Sequence, residues 1–382
     1  MNPHWTASKE SFEIREMPFY WRLSGGTTPF ESIPPRMPIR LVIDENYDYL
    51  KYVPTAFEGN VLAQAYLQNT NIGFVNPESG QLNTYGWSVH KFFLDSLAKY
   101  QPKAIYEIGC GAGYTIEYLR KNDWNVIGID PSEYSKKWSE KLNFPLINAF
   151  FSKNLFETPA NFIYCNDVFE HILQVDKFTE TVFSCLDEGG IFCFATTNSS
   201  QSIELGDISM LEHQHVNMFT TGSIHRILRK AGFEEINVQA GSYGNTFHVL
   251  ARKIRLSQLN SLSPRPDRVC FGFFDRLKSR LEKFHKLHKE CKSLHCYVPL
   301  RTIPYLATQG DFGTSPIYDS NPKWRGRYID GYSQPVRGLE DIKYKREAAF
   351  FIGSLTFHKE IKKTLIKKGF PKDSIVSFAD LQ

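Results

Sequence analysis

The first residues whose types and spacing suggest chemistry form a glycine-rich turn. The segment Ala104 to Gly113, AIYEIGCGAG, is an apolar run that ends in alternating glycines, Gly109, Gly111 and Gly113. Glycine lets the backbone turn tightly and lets a ligand approach where a Cβ would block it. Asp130 follows about twenty residues later, where an acidic side chain can accept hydrogen bonds from ribose hydroxyls. This spacing predicts a nucleotide-containing cofactor; alternatively, Asp130 only begins the next helix as its N-cap.

Histidines follow two later segments of the chain. His171 comes directly after Glu170, behind a predicted strand, and His213 and His215 lie in the segment EHQH before a predicted helix. Ligands bind at the carboxyl ends of strands in open α/β sheets, and histidine titrates near neutral pH. We therefore predict His215 as the general base or the group that holds the acceptor oxygen, with His171 assisting and His213 as a further catalytic candidate. The alternative is that these are loop histidines bonded to backbone groups.

Aromatic residues are concentrated in residues 1–85. Because aromatic faces stack on sugars and bases, this segment is predicted to be a lid or an acceptor-binding segment, or else to cover the core. Tyr85 and Trp87 lie directly before the first predicted core helix and, with Glu170 and Tyr243, are the predicted acceptor-binding residues. Turn signals dominate the segment apart from a helix at Val61–Leu67. The aromatics considered for the lid also include Trp5, Phe19, Tyr20, Trp21, Phe30, Tyr47, Tyr49 and Tyr52.

Strand and helix patterns alternate from residue 104 onward, which predicts a parallel sheet with helices on both faces. The runs EEINVQAG and TFHVLARK could extend it as an antiparallel edge. Four regions follow: an N-terminal segment at 1–85, a Rossmann-like domain at 86–255, a linker and basic helix at 256–292, and a smaller α/β domain at 293–382. The basic helix Arg276–Lys292 has an apolar seam and is predicted to pack, a membrane or nucleic-acid partner being the alternative.

Composition limits the classes of partner. The 382 residues include 45 basic and 41 acidic side chains, for a net charge of +4, which makes nucleic acid an unexpected partner and a small-molecule acceptor the expected one. A homo-oligomer is possible. The sequence has no apolar run long enough for a spanning helix and no signal-peptide pattern, so a cytoplasmic location is expected. Cys291, His295 and Cys296 fit no zinc spacing, so no metal site is predicted.

Several of these motifs in sequence resemble the class I S-adenosylmethionine-dependent methyltransferases over residues 86–253. The resemblance includes the glycine turn, Asp130, the segment from Asn166 to His171, and the segment from Leu186 to Gly190. It implies S-adenosylmethionine as the cofactor on a Rossmann-like sheet. By the same resemblance, Glu107 and Gly109 lie near the methionine part, Asp130 holds the ribose, Asn148 lies beside the adenine, and Asp167 and Val168 line the open side.

A narrower resemblance links His213–Phe219 and Tyr318–Val336 to the nucleotide-sugar C-methyltransferases. It implies that the histidine segment faces the sugar and that a C-terminal Rossmann-like domain helps to hold the acceptor. The chain departs from that family at Gln214 and Met218 and lacks its N-terminal zinc module. We therefore expect methyl transfer to an oxygen of a sugar or sugar-linked intermediate of surface-polysaccharide or specialised-metabolite synthesis. The alternatives are C-methylation of a nucleotide keto-sugar, RNA methylation, and a cofactor-binding scaffold without turnover.

Overall fold

The computed structural model describes residues 4–19, 33–68, 84–241, 245–254, 268–310, 313–329, 331–343, 347–355 and 357–381. Tyr243 and the predicted linker up to residue 267 lie outside these ranges. None of the helices within them combines the length and apolar character that a bilayer crossing requires.

The N-terminal region is an antiparallel sheet, where turn signals had predicted irregular structure. Its strands are β1 (Trp5–Ala7), β2 (Ser11–Pro18), β3 (Arg36–Asp44) and β4 (Tyr49–Tyr52), followed by helix α1 (Ala56–Gln68). The prediction failed because PRMPI reads as turn-rich, yet alternate side chains from Met37 to Leu41 are buried against the next layer. A fifth strand, Asn217–Met218, comes from much later in the chain and pairs with β4.

The central sheet has the predicted α/β architecture. Its seven strands follow the order β11-β12-β9-β8-β5-β6-β7, and β12 alone runs antiparallel to its neighbours. Helices cover both faces, over two separate hydrophobic clusters. The strand bounds are β5 (Ile105–Ile108), β6 (Val126–Ile129), β7 (Leu146–Ile147), β8 (Ala160–Asn166), β9 (Leu186–Thr197), β11 (Phe233–Ala240) and β12 (Thr246–Lys253), the strand Asn217–Met218 being β10. The helix bounds are α2 (Thr84–Tyr100), α3 (Tyr114–Arg120), α4 (Glu133–Leu142), α5 (Val175–Cys185), α6 (Ser200–Leu205) and α7 (Thr221–Lys230).

The position of the ligand crevice follows from this strand order. Strand β5 pairs in parallel with β6 on one side and with β8 on the other. Strands β6 and β7 are therefore added on one side of β5. The chain then returns and adds β8 and β9 on the other side. The loops at the carboxyl ends of β5 and β8 leave in opposite directions, which opens a crevice between them.

The C-terminal region is a second, parallel sheet of the predicted α/β type. Its strand order is β15-β14-β13-β16-β17, so β13 and β16 repeat the crevice geometry of β5 and β8. The apolar run LHCYVPL forms a strand only as far as Tyr297, because Pro299 begins a helix. The elements are α8 (Phe273–Glu290), β13 (Ser293–Tyr297), α9 (Pro299–Ala307), β14 (Ile317–Asp319), β15 (Arg337–Gly338), β16 (Ala348–Ile352), α10 (His358–Lys367) and β17 (Ile375–Ser377).

The N-terminal and C-terminal sheets share one hydrophobic cluster with helix α8. Phe12 and Leu41 of the first sheet, Leu281 of α8 and Phe351 of the last sheet are all fully buried in it. The basic helix is thus a packed element, as its apolar seam predicted. The shared core fixes the two outer regions against each other, so both can contribute to one site.

Candidate active site

A cavity of about 860 Å³ opens at the carboxyl ends of β5 and β8. Its inner part is formed by the glycine loop and by the segment that follows β8. Its outer part is formed by α1, by the loop before β10 and by the C-terminal unit. The residues used below that line it are Tyr66, Tyr85, Glu107, Gly109, Gly111, Asp130, Asp167, Val168, Glu170, His171, Ser209, Glu212, Gln214, His215, Arg301 and Phe357.

The glycine loop needs glycine for two reasons. Gly109, Gly111 and Gly113 all have positive φ, at 70°, 52° and 72°, which costs other residues about 1–2 kcal/mol each. A Cβ on Gly109 would also lie 2.5 Å from Cγ2 of Val168, inside the cavity wall. The loop is therefore a cradle that only a residue without a side chain can form.

Asp130 ties this loop to helix α4. Its Oδ2 accepts a hydrogen bond from the Gly111 amide at 3.0 Å, and its Oδ1 accepts from the amide and hydroxyl of Ser132. The N-cap of α4 is Ser132, whose hydroxyl accepts from the Ser135 amide. Asp130 is thus not the cap, and it lines the cavity, while its contact with a ribose stays a prediction.

Glu107 lies at the base of the crevice. Burial raises the pKa of its carboxyl group to about 8, although the Tyr164 hydroxyl, which donates to it at 2.9 Å, acts in the opposite direction. Near neutral pH this group holds a proton more readily than an ordinary carboxyl group does. It can therefore donate a hydrogen bond into the cavity as well as accept one.

Asp167 and Tyr85 form a pair on the open side of the crevice. The Tyr85 hydroxyl donates to Oδ1 of Asp167 at 2.5 Å, and Asp167 has a positive φ of 50°. Burial, followed by the negative charge of Glu170, raises the pKa of Asp167 to about 7. Tyr85 lies inside α2 rather than before it, and its hydroxyl reaches the predicted acceptor side.

His171 has a ring orientation set by backbone. Its Nδ1 lies 2.7 Å from the carbonyl oxygen of Gln214. A carbonyl only accepts, so Nδ1 carries the hydrogen and Nε2 has the free lone pair. The Tyr66 hydroxyl lies 2.9 Å from the same Nδ1. Burial, helped by the nearby charge of His215, lowers the pKa of His171 to about 4, so its imidazole is neutral at physiological pH.

His215 is held by a carboxylate. Its Nε2 lies 2.7 Å from Oε1 of Glu212, and its ring centroid lies 4.9 Å from that of His171. Burial alone would lower the pKa of His215, but the charge and hydrogen bond of Glu212 outweigh burial and raise it. For Glu212 burial acts upward, yet His215 and Arg301 hold its pKa at about 2. Nδ1 of His215 is left for a ligand in the cavity.

Four predicted residues lie elsewhere. Trp87 is 54% exposed within α2 and packs against Tyr118. His213 is buried in the core of the N-terminal sheet, where its Nε2 meets the carbonyl of Met37 at 3.1 Å. Asn148 donates to the carbonyls of Asp130 and Ser132 and so supports the cofactor loop from behind. A Cβ on Gly113 would overlap the ring of Phe144, so this glycine serves packing.

The predicted aromatic lid is also wrong for most residues that the structure describes. Phe19, Tyr47, Tyr49 and Tyr52 are buried in hydrophobic clusters. They lie there because the N-terminal region is a sheet that must bury one face. The part of this region that lines the cavity is α1, through Tyr66. Tyr20, Trp21, Phe30 and Tyr243 lie outside the described residues.

Three residues that the sequence did not single out belong to the site. The sequence does carry a signal for Glu212, since a carboxylate three residues before a histidine can reach the histidine ring. Tyr66 carries no such signal. Arg301 comes from α9, where its Nη1 donates to the carbonyl of Ser209 at 3.4 Å. Only the packing of the C-terminal unit brings Arg301 to the cavity.

Comparison with known proteins shows what the central unit is similar to. Residues 88–238 match the model of a methyltransferase domain family. The ubiquinone biosynthesis O-methyltransferase of Hydrogenovibrio crunogenus is 25% identical over an alignment of 183 residues, which covers 43% of this chain and 74% of that protein. Among solved structures, a plantazolicin methyltransferase in complex with S-adenosylhomocysteine is 18% identical, with a TM-score of 0.37 and coverage of 44% of this chain and 84% of that one. A possible histamine N-methyltransferase from Thermotoga maritima is 18% identical, with a TM-score of 0.34 and coverage of 43% and 90%.

Proposed function

Because residues 88–238 are a methyltransferase domain that uses S-adenosylmethionine, we propose that this chain methylates an oxygen of a sugar or sugar-linked intermediate. The pathway class we propose is the synthesis of a surface polysaccharide or a specialised metabolite. The observation that carries the proposal is the course of the cavity. It continues from the glycine loop past His171 and His215 to Arg301 and the C-terminal unit, which leaves room for a two-part acceptor.

The residues present fit the cofactor. The glycine cradle would be closed by a Cβ at Gly109, and Asp130 offers a carboxylate beside it. Asp130 would hold the ribose, Glu107 the methionine part, and Val168 would cover the open side. When bound, S-adenosylmethionine supplies a methyl group on a positively charged sulfur, which is a good leaving group.

The chain's own task is to bring a nucleophilic oxygen in line with that methyl group. Transfer would form the O–C bond and break the S–C bond, with the electron pair staying on sulfur, and the proton of the hydroxyl would pass to Nδ1 of His215 or to solvent. His215 faces this position with Nδ1, and Glu212 fixes its ring. His171 and Tyr85 border the same space and help to exclude water.

The outer end of the cavity suits a negatively charged portion of the acceptor. Arg301 has no salt-bridge partner among the described residues, and its guanidinium lies at the cavity wall. Guanidinium groups bind phosphate oxygens through paired, charge-assisted hydrogen bonds. Phe357 is 50% exposed at the same end and offers a face for a sugar ring. These features support a sugar linked to a phosphate.

The RNA alternative rests on helix α8, which commits part of its surface to the fold and keeps Lys278, Lys283, Lys286 and Lys289 exposed. Helix α8 packs Leu277, Leu281 and Phe284 into the shared core. Its Arg280 is 2% exposed and donates to the backbone carbonyls of Leu205 and Phe378. These contacts leave its apolar seam and this arginine committed to the fold.

The test is transfer of an isotopically labelled methyl group by the full chain to a panel of nucleotide sugars, sugar phosphates, free sugars and RNA. Mass spectrometry then locates the label. Arg301→Ala should raise the KM for a phosphorylated acceptor at least about tenfold, because a charge-assisted hydrogen bond contributes roughly 1.5–3 kcal/mol. The KM for the cofactor should not change.

Arg325→Ala is the matched control, since Arg325 also lies in the C-terminal unit but pairs with Glu340 and Asp341 on the surface. It should leave both KM values as in the wild type. Label on carbon or in RNA, or an unchanged acceptor KM in Arg301→Ala, would contradict the proposal.

A further inference from the structure

Three side chains at the acceptor end of the crevice converge on one point. Glu170, His171 and His215 each offer one ligand atom, and these atoms all lie within 4.8 Å of one another. We propose that they bind a divalent transition-metal ion, which holds the acceptor oxygen for methyl transfer. The metal site itself stands on these three residues, whereas its role with the acceptor rests on the proposed function.

The hydrogen bonds of the cluster leave one free atom on each side chain. His171 uses Nδ1 on the Gln214 carbonyl, and His215 uses Nε2 on Glu212. Glu170 uses Oε2, which accepts from the Thr196 hydroxyl at 2.8 Å. Nε2 of His171, Nδ1 of His215 and Oε1 of Glu170 remain.

The carboxylate gives the second reason for a cation. Glu170 is 0% exposed, and its Oε1 has no hydrogen-bond partner among the described residues. Leaving a buried polar atom unsatisfied costs about 1–3 kcal/mol, and more when the atom is charged. A metal ion beside Oε1 would supply the missing partner.

The partners behind the cluster match those of metal ligands in general. A histidine that binds a metal usually donates its other ring N–H to a carbonyl or carboxylate, and a ligating carboxylate is itself hydrogen-bonded. His171 has the Gln214 carbonyl, His215 has Glu212, and Glu170 has Thr196. All three ligands are therefore already oriented, and closing distances of up to 4.8 Å around an ion needs side-chain shifts of about 1 Å.

The donor set favours a transition metal. Two imidazoles and one carboxylate suit zinc, iron, manganese or cobalt, whereas magnesium and calcium prefer oxygen ligands. Three protein ligands leave coordination positions open toward the cavity. An acceptor hydroxyl in such a position loses its proton to solvent more easily, because the cation stabilises the alkoxide. The alkoxide oxygen then takes the methyl group, and the sulfur keeps the electron pair of the broken S–C bond.

The experiment measures metal binding without an acceptor. The full chain is stripped with a chelator and titrated with Co²⁺, following the visible absorption bands of the ion, and with Zn²⁺ by calorimetry. One ion per chain should bind, and it should raise the melting temperature. Glu170→Gln retains the shape and the Thr196 bond but should weaken binding at least a hundredfold. Glu212→Gln should weaken it about ten- to a hundredfold, as for other outer partners.

Glu204→Gln makes the same chemical change at an exposed position of α6 and serves as the control, with wild-type metal affinity expected. Equal binding in Glu170→Gln, or no binding by a wild-type chain that remains folded, overturns the metal site. In that case methyl transfer that survives chelation would leave the proposed function intact. Conversely, tight metal binding without transfer to any oxygen acceptor would support the metal site and contradict the proposed function.

Discussion

The two ends of the cavity are built in different ways. The cofactor end comes from one continuous stretch, Glu107 to Val168, and depends on backbone shape at the glycine loop. The acceptor end combines α1, the loop that carries His215, and Arg301 from the C-terminal unit. A local motif is enough to specify the first. The second exists only when distant segments pack together.

Long-range bonds fix the loop that carries His215. Asp207, at the start of that loop, is fully buried and accepts hydrogen bonds from Ser209 and from the Tyr305 hydroxyl of α9. At the other end of the loop, β10 pairs with β4 of the N-terminal sheet. The C-terminal unit and the N-terminal sheet therefore hold the loop from both sides.

His215→Ala should produce the largest difference between the two ends of the cavity, because it should lower turnover and leave cofactor affinity unchanged. It removes the imidazole that faces the acceptor oxygen, and the loss of such a group usually lowers turnover about a hundred- to ten-thousandfold. Cofactor affinity should stay within about twofold, since that end of the cavity is built separately. Discontinuous assays of methyl transfer measure turnover, and calorimetry with S-adenosylhomocysteine measures cofactor affinity.

His225→Ala is a suitable control because His225 lies on α7 and does not line the cavity as far as the structure describes it. It should behave as the wild type. If His215→Ala weakened cofactor binding as much as turnover, the two ends would be coupled and the division would be wrong.

The same division explains what the sequence could predict. The alternation of strands and helices and the glycine turn are local signals, so the central sheet and the positions of Glu107, Gly109 and Asp130 followed from them. His213 and His215 show the limit. They are two residues apart in one segment, yet one enters the core of the N-terminal sheet and the other enters the cavity. Which one does so depends on the pairing of β10 with β4, and no short motif carries that information.

Glu212→Gln should have an intermediate effect on turnover and should also change its pH dependence. His215 must be neutral to accept a proton or bind a metal, so activity should rise with pH through the pKa of His215. The charge of Glu212 raises that pKa. Removing the charge lowers it, and the rising limb of the pH–rate profile should move to lower pH. Turnover on the plateau should fall about ten- to a hundredfold, because the ring loses its orienting partner.

Glu234→Gln provides a comparison, since Glu234 pairs with Arg229 on the surface and away from the cavity. Its profile should match the wild type. A limb that stays in place in Glu212→Gln would mean that another group titrates there, and Asp167, whose pKa lies at about 7, would be the next to replace.

Gly109→Ala should have the smallest effect, and it tests whether backbone shape alone makes the cofactor end. Gly109 and Gly326 have similar positive φ values, 70° and 76°, so alanine at either should cost about 1–2 kcal/mol of unfolding free energy. They differ in surroundings, because a Cβ at Gly109 lies 2.5 Å from Val168, whereas nothing lies within 4 Å of one at Gly326. Gly109→Ala should therefore displace Val168 and weaken S-adenosylhomocysteine binding about tenfold, while Gly326→Ala leaves it unchanged. Denaturant titration and calorimetry on the pair separate backbone strain from steric overlap. Equal cofactor affinity in the two variants would show that the cradle adjusts, and the cofactor end would then depend on side chains such as Asp130 rather than on the shape of the loop.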